Sequence, residues 1–344
     1  MELNLQTFYK IDSLPKRNIC NNNNETFGNI CNNNNETFDK KYEYIENYPI
    51  SNGAFGNVYR IRDRKVKTEY ILKKLRKQEP NATDPKMFEN EIDFLINVKG
   101  TNIINIIDFY AKEDPKFYYI ILEKMDGDLR TFLNKYKNGM PSKLIRKIFN
   151  QINSGLEIMI KNGKTHRDLK PDNILFSYTN KKKTDFIVKI GDFGLSTDLK
   201  GTQYASNAGT IFFKAPEVEK QKFSNKCDLY SIGIILYMLK TGEYIFDGKE
   251  MVDILTNKKY NKIKKETDDP VLNKLIKKLV VNNPKDRMEW KDYFNDPFFN
   301  VDDKDDIKEN IESKNTYLKV VKKLNEENNS YLNRKIIIIN NRNH

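Results

Sequence analysis

The spacing of hydrophobic and polar positions changes along the chain, and the change predicts two kinds of structure. Before about residue 125, short apolar segments are separated by polar turns. These segments occupy residues 50–59 around a glycine turn, and residues 70–75, 102–107 and 117–122. Short apolar runs of this kind, bounded by turns, are typical of buried strands. We therefore predict a β-rich segment that extends from Tyr42 to about Lys124.

Helical spacing occurs once in the first segment and dominates after it. Apolar residues at 88, 92 and 95 follow Asp84-Pro85, a pair that commonly starts a helix. A further helix is predicted from Asp128, and a long amphipathic one over residues 143–160. Together the patterns predict an α+β protein whose second, mainly helical part ends near Asn300.

A tandem repeat of eleven residues precedes the strands. Ile19 to Asn29 and Ile30 to Lys40 both contain an Ile-Cys pair, four asparagines and Glu-Thr-Phe. Two copies are too few for a solenoid, and asparagine tracts bury too little apolar surface to offset the entropy of ordering. We predict that residues 1–40 form a disordered extension with short, sticky phenylalanine motifs.

Composition restricts the classes of protein. The 344 residues are 38% hydrophobic, and the longest aliphatic block, Ile336 to Ile339, is far shorter than the roughly 18 apolar residues of a membrane span. The first residues lack a basic start followed by an apolar core, and three cysteines suggest neither a disulfide framework nor a metal site. We expect an intracellular, cytoplasmic protein without membrane contact.

The formal net charge of +12 has two readings. Basic proteins can bind nucleic acid or anionic surfaces, but lysine, asparagine and isoleucine are enriched together here, as an AT-rich genome would produce. The lysines occur singly or in short runs without interleaved aromatic residues. We expect no nucleic-acid partner.

Residues 165–175 carry the densest group of reactive side chains. Asp168 could accept the proton of a hydroxyl group, Lys170 could meet a phosphoryl oxygen, and Asn173 could hold Mg²⁺, which are the requirements of phosphoryl transfer. A surface turn with a chance charge cluster is the alternative interpretation. In this stretch, Thr165-His166-Arg167-Asp168-Leu169-Lys170-Pro171-Asp172-Asn173, the chain resembles the eukaryotic-type serine/threonine protein kinases.

The resemblance extends to a nucleotide-binding turn near the start of the β-rich segment. Its residues are Ile50, Ser51, Asn52, Gly53, Ala54, Phe55, Gly56, Asn57 and Val58. The glycines let the backbone approach a phosphate, and Phe55 can cover the nucleotide. Ser51 stands where the first glycine of the family pattern is expected, so we expect weaker nucleotide binding.

The resemblance implies that two charged residues position the phosphates of the nucleotide. Strand alternation places Ile71 and Lys73 on one face and Lys74 on the other, so we choose Lys73 as the phosphate-binding lysine. By resemblance, Glu91 is the helical carboxylate that pairs with it, with Glu89 as a rival. Glu123 to Met125 correspond to the interlobe hinge, whose backbone groups would bond adenine.

Downstream motifs complete the resemblance, which covers about residues 44 to 300. Asp192 in Gly191-Asp192-Phe193-Gly194 is implied as the principal Mg²⁺ ligand. Gly209-Thr210 and Ala215-Pro216-Glu217 match the end of the activation segment, and the family pairs that glutamate with an arginine, here Arg287. Asp128 either meets the ribose hydroxyls or only caps its helix.

The implied protein is a bilobal serine/threonine kinase with a smaller lobe over residues 41–124 and a larger one over 125–300. It would use ATP and Mg²⁺ to phosphorylate Ser and Thr in protein substrates. Alternatives are a catalytically weak or dead kinase-like scaffold, a basic nucleic-acid-binding protein, and a small-molecule or lipid kinase. Arg167 and Ser206 are implied to be regulatory, because the arginine before the catalytic Asp168 meets a phosphate on the activation segment in such relatives.

Thr202 and Tyr204 are rivals of Ser206 for the phosphate, and Thr210 is expected to bond Asp168 and Lys170. Residues 301–344 lie outside the resemblance and could form a tail helix.

Overall fold

The computed structural model describes residues 36–52, 56–78, 83–193, 211–219, 224–248 and 250–300. The chain divides into two compact units. Among the described residues, one unit contains those up to 78 together with 108–121, and the other contains 83–107 and those from 122 to 300. Residues 83–107, which the sequence analysis places in the smaller lobe, therefore belong to the second unit.

The first unit is built on a six-stranded sheet. Its strands are β1 (Tyr42–Tyr44), β2 (Ser51–Asn52), β3 (Gly56–Asp63), β4 (Glu69–Arg76), β5 (Ile106–Tyr110) and β6 (Phe117–Glu123). The order across the sheet is β1-β3-β4-β6-β5, and β2 pairs with β3. The strand, glycine turn and strand predicted at residues 50–59 correspond to β2 and β3, while the turn tip, 53–55, lies outside the described part.

A short helix, α1 (Phe38–Lys41), precedes β1. Residues 38–40, which the prediction includes in the disordered extension, are helical because the ring of Phe38 is buried among aromatic side chains of the first unit. The remainder of the repeats, up to residue 35, lies outside the described part.

The strand predicted at residues 102–107 begins later than expected, at Ile106. The side-chain amide of Asn102 donates to the Val188 carbonyl at 2.7 Å, and its own carbonyl accepts from the Ile190 amide at 2.9 Å. These bonds attach residues 102–104 to a strand that lies more than eighty residues further along the chain. Local periodicity cannot show such a partner.

The second unit is mainly helical. Its helices are α2 (Pro85–Asn97), α3 (Leu129–Leu133), α4 (Ser142–Lys161), α5 (Pro216–Glu219), α6 (Cys227–Thr241), α7 (Met251–Lys259), α8 (Pro270–Leu279) and α9 (Trp290–Phe294). A small sheet in the order β7-β8-β9 consists of β7 (Gly127–Asp128), β8 (Ile174–Tyr178) and β9 (Phe186–Ile190). Asp84 and Asp128 cap α2 and α3 by accepting from the Lys86 and Thr131 amides, so both predicted helix starts are confirmed.

The core of the second unit lies around α6. This helix is apolar on nearly all sides and almost entirely buried, as expected for a central helix. Gly233 allows α8 to approach closely, because a Cβ there would lie 2.9 Å from Leu279 Cβ. No helix in the described ranges combines the length and apolar content needed to cross a bilayer.

Gly56, at the start of β3, lies at the end of the turn that is predicted to bind a nucleotide. A Cβ on this residue would lie 2.0 Å from the Lys74 carbonyl oxygen and 2.8 Å from Leu75 Cα. Both atoms belong to the backbone of β4, which pairs with β3 in fixed register. We expect Gly56→Ala to lower the free energy of unfolding by about 3 kcal/mol in urea denaturation.

Gly163→Ala is the matched control. It adds the same methyl group where nothing lies within 4 Å, at a φ of +67°, and should cost only about 1 kcal/mol. Equal stabilities of the two variants would contradict the close approach at Gly56.

Candidate active site

Three of the predicted site residues meet in the loop that precedes β8. Lys170 Nζ lies 2.7 Å from Asp168 Oδ2, and the Asn173 amide donates to Asp168 Oδ2 at 3.1 Å and to its carbonyl at 2.8 Å. The other carboxylate oxygen, Oδ1, is buried and accepts no hydrogen bond from the part of the chain that is described. A buried acceptor without a donor is costly in a folded protein. The arrangement therefore leaves one oxygen of Asp168 without a donor among the described residues.

A buried carboxylate on α6 fixes the backbone of this loop. Asp228 Oδ2 accepts from the His166 amide at 2.7 Å, and Oδ1 accepts from the Arg167 amide at 2.8 Å. Arg167 has a φ of +67°, a left-handed conformation that needs such support. Burial raises the pKa of Asp228, while the hydrogen bonds from the two amides act in the opposite direction. Asp228 is absent from the site predicted from the sequence, although an acid at the head of an apolar helix is a signal for a buried role.

His166 connects the loop to the segment that carries Asp192. Its Nε2 lies 2.9 Å from the Gly191 carbonyl, and the Asp168 amide donates to its Nδ1 at 3.3 Å. This pair of bonds fits a neutral imidazole protonated at Nε2. His166 is a second positioning residue that the sequence analysis did not identify.

The two predicted metal ligands are neighbours at the end of one hairpin. Ile174 of β8 pairs with Ile190 of β9, and the Gly191 amide donates to the Asn173 carbonyl at 2.9 Å. Asp192 follows directly, in a left-handed conformation with a φ of +59°. Strand pairing thus sets Asn173 and Asp192 side by side.

Phe193 anchors the chain after Asp192. Its side chain is fully buried and stacks on Phe94 of α2 with centroids 4.2 Å apart, and its ring lies 5.2 Å from that of His166. The buried ring prevents this segment from turning over without a loss of packing.

The donor set fits Mg²⁺ bound together with a phosphorylated ligand. The nitrogen of the Asn173 amide faces Asp168, so its oxygen is directed elsewhere, and Asp192 adds a carboxylate. Mg²⁺ is usually held by one or two carboxylates and by substrate phosphates, with water completing its octahedron. No group of three or more His, Cys, Asp or Glu side chains in the described ranges could hold a metal alone.

The predicted hinge is held by a side chain as well as by its backbone. Glu123 Oε1 lies 2.6 Å from Lys189 Nζ and accepts from the Asn105 amide at 2.7 Å, and the Glu123 amide donates to the Asn105 carbonyl. The Lys189 side chain is only 8% exposed. Glu123 thus ties the segment before Met125 to β9, whereas only the backbone groups of this segment have a role in the prediction from sequence.

In the first unit, the sheet register gathers the predicted phosphate-binding positions. Ser51 lies opposite Val58, and Val58 lies opposite Lys73, so the three side chains share one face. The Lys74 ammonium lies on the other face, 4.4 Å from the centroid of the Phe117 ring. The predicted alternation of the two lysines is therefore confirmed.

In the second unit, the two rival glutamates of α2 differ in burial. Glu91 is 2% exposed, while Glu89 is only half-buried. A carboxylate as buried as Glu91 needs compensation by other groups, which favours it as the functional residue.

The end of the activation segment is held from three sides. Its carbonyls at Ile211, Phe212 and Phe213 accept from Lys258, Tyr244 and Ser231, respectively. Glu217 forms two bonds to Arg287, at 2.7 and 3.0 Å, and Arg287 is almost fully buried. The pair expected from the resemblance is present.

Of the predicted regulatory residues, only Arg167 lies in the described part of the chain. Arg167 is 6% exposed, whereas Thr202, Tyr204, Ser206 and Thr210 lie outside the described residues, as do the loop residues Gly53, Ala54 and Phe55. Their roles stay predictions.

Comparison with known proteins agrees with this geometry. Residues 44–299 match the family described as protein kinase domain. Calcium-dependent protein kinase 4 of Plasmodium falciparum (isolate 3D7) is 34% identical over 253 residues, which cover 71% of this chain and 47% of that protein. Serine/threonine-protein kinase ATG1c of Arabidopsis thaliana is 31% identical over 268 residues, with 74% and 35% covered.

Serine/threonine-protein kinase ULK1 of Homo sapiens is 31% identical over 272 residues, which cover 76% of this chain and 26% of that protein. The chain thus spans half the length of these relatives or less. Because the family match covers most of the chain and contains the catalytic loop, the Asp192 segment and the Glu217–Arg287 pair, the predicted kinase fold is confirmed and the chain belongs to the protein kinase family.

Proposed function

We propose that this chain is a serine/threonine protein kinase, which transfers the γ-phosphoryl group of ATP to Ser and Thr hydroxyls of intracellular protein substrates. The observation that carries the proposal is the carboxylate of Asp168. One of its oxygens is held by Lys170 and Asn173, and the other is buried without a donor in the described part of the chain. A hydroxyl group is the kind of donor that such an oxygen lacks.

The residues of the second unit would act by positioning and by neutralising charge. Asp168 accepts or aligns the proton of the substrate hydroxyl, and Lys170 offsets negative charge on the transferred group. Asn173 and Asp192 hold Mg²⁺, which when bound neutralises charge on the phosphate oxygens. Glu123 and Met125 offer backbone groups to adenine.

Residues of the first unit would bind the phosphates. Lys73 is proposed to orient the α- and β-phosphates, and Glu91 of the second unit to set this lysine. The turn from Ile50 to Val58 would cover the nucleotide, because its glycines let the backbone approach a phosphate closely. The relatives named as serine/threonine-protein kinases support a Ser or Thr acceptor.

The proposal is tested by ATP-dependent labelling of a generic protein substrate, followed by phosphoamino-acid analysis. Wild-type protein should yield phosphoserine and phosphothreonine. Asp168→Ala should reduce kcat by about 10²–10⁴, the usual contribution of a positioned base, and Asp192→Ala should abolish most transfer because it removes a metal ligand.

Asp185→Ala serves as the control. This aspartate pairs with Lys147 on the surface, and its loss should leave kcat unchanged. A folded Asp168→Ala variant with wild-type activity would refute the assignment. Wild-type protein that transfers no phosphate would favour a kinase-like scaffold, and a product that is mainly phosphotyrosine would overturn the acceptor class.

Asp228→Asn tests whether the buried carboxylate positions the catalytic loop. The amide keeps the shape but can accept from only one of the His166 and Arg167 amides. An unsatisfied buried donor costs about 1–3 kcal/mol, so kcat should fall roughly tenfold or more. The comparison is Asp296→Asn, which changes another buried aspartate, one that caps the Phe298 amide. Unaltered kcat in Asp228→Asn, at the stability of that control, would contradict the positioning role.

Ser206 is proposed as the regulatory phosphosite that Arg167 recognises. A phosphate carries almost two negative charges, and a guanidinium binds it through charge-assisted hydrogen bonds. Ser206→Ala should lower activity severalfold, with Thr202→Ala and Tyr204→Phe as controls. Peptide mapping that finds no phosphate from residue 195 to 210 in fully active protein would leave Arg167 a structural residue.

A further inference from the structure

An aromatic pocket in the first unit holds a single phenylalanine from the Asn-rich repeats. Phe38 is 3% exposed. Its ring is stacked on Tyr119, with centroids 4.8 Å apart and 10° between the planes. The rings of Tyr44 and Tyr110 meet it edge-on, each with its centroid 5.8 Å away. Such pairs stabilise beyond the burial of area alone.

The walls of this pocket are fixed without the help of Phe38. The Tyr119 hydroxyl donates to Asp114 at 2.6 Å, and the Tyr110 hydroxyl donates to Asp108 at 3.3 Å. Both tyrosines lie on strands of the sheet, β6 and β5. The pocket is therefore preorganised for a ring that enters from outside.

Polar groups beside the pocket recognise the segment that carries the ring. The Phe38 amide donates to Glu113 Oε1 at 2.7 Å. Glu36, two residues earlier, lies with its Oε1 3.1 Å from Lys65 Nζ. The surface thus contacts an acidic residue, Glu36, and a phenylalanine, Phe38, that are separated by one residue.

The chain contains this segment twice. Ile19 to Phe27 and Ile30 to Phe38 are identical at all nine positions, and they diverge only after the phenylalanine. Glu25-Thr26-Phe27 therefore carries every side chain that Glu36-Thr37-Phe38 presents to the pocket.

We propose that the aromatic pocket is a binding site for Glu-Thr-Phe segments, and that Glu25-Thr26-Phe27 of the same chain is its second ligand, in exchange with Glu36-Thr37-Phe38. The proposal does not depend on phosphoryl transfer. Exchange moves the anchored point of the chain by eleven residues and leaves the pocket filled.

The second copy has an advantage over the first. Three residues separate Phe38 from β1, against fourteen for Phe27, and the longer tether lowers the effective concentration about tenfold. Occupancy by the second copy is therefore the major state.

Thermal unfolding of full-length variants tests the exchange. Phe27→Ala should leave Tm unchanged, because the second copy still fills the pocket. Phe38→Ala should lower Tm by only about 3 °C, the equivalent of a tenfold loss, because the first copy replaces it. The double variant, which empties the pocket, should lose about 10 °C.

Carbodiimide cross-linking, which joins a carboxylate to an adjacent amine, identifies the segment that is bound. Wild-type protein should give a link from Glu36 to Lys65 by mass spectrometry of peptides. Phe38→Ala should replace it with a link from Glu25 to Lys65 in the monomer, and the double variant should give neither.

Three results would overturn the proposal. The first is a Phe38→Ala variant that is as unstable as the double variant, or that unfolds altogether, since the first copy would then not have filled the pocket. The second is a folded Phe38→Ala variant without the Glu25 link. The third is a Glu25 link found only in cross-linked dimers, which would assign the segment to a second copy of the chain.

Discussion

The carboxylate of Asp228 is the constraint on which the geometry of the catalytic loop depends. Its two oxygens accept from consecutive amides, and one of these belongs to a residue with a left-handed backbone. His166 extends this constraint to other residues, because its ring bonds to the Gly191 carbonyl and accepts a hydrogen bond from the Asp168 amide. A single buried charge on the central helix thus determines the position of groups on two separate chain segments. The energetic cost of burying that charge is offset by the amides that surround it.

Much of the fold follows from local patterns that the sequence displays directly. Asp84 and Asp128 begin helices, and the alternation along β4 separates Lys73 from Lys74. The reactive loop was recognisable because its side chains are close in sequence as well as in space. Such features need no knowledge of distant partners.

The features that sequence reasoning missed all depend on distant partners. Asn102 bonds to β9 and is not part of β5, and the Glu123 side chain pairs with Lys189, which lies 66 residues away. Phe38 belongs by composition to a polar repeat, yet two of the rings that bury it, Tyr110 and Tyr119, follow more than seventy residues later. One aromatic residue can be anchored where the average composition of its neighbourhood predicts no order.

The β8–β9 hairpin has a mechanical consequence. Because Asn173 and Asp192 are joined through paired strands, their backbone separation is a property of the register and cannot be adjusted gradually. A slip by one residue would reverse the faces of both strands, so the two ligands either keep their spacing or lose it completely. Gly191, just beyond the last paired residue, offers no freedom either, because its amide is bonded to the Asn173 carbonyl and its carbonyl to His166. Adaptation to ligands of different size must therefore come from rotation about the bonds of the two side chains.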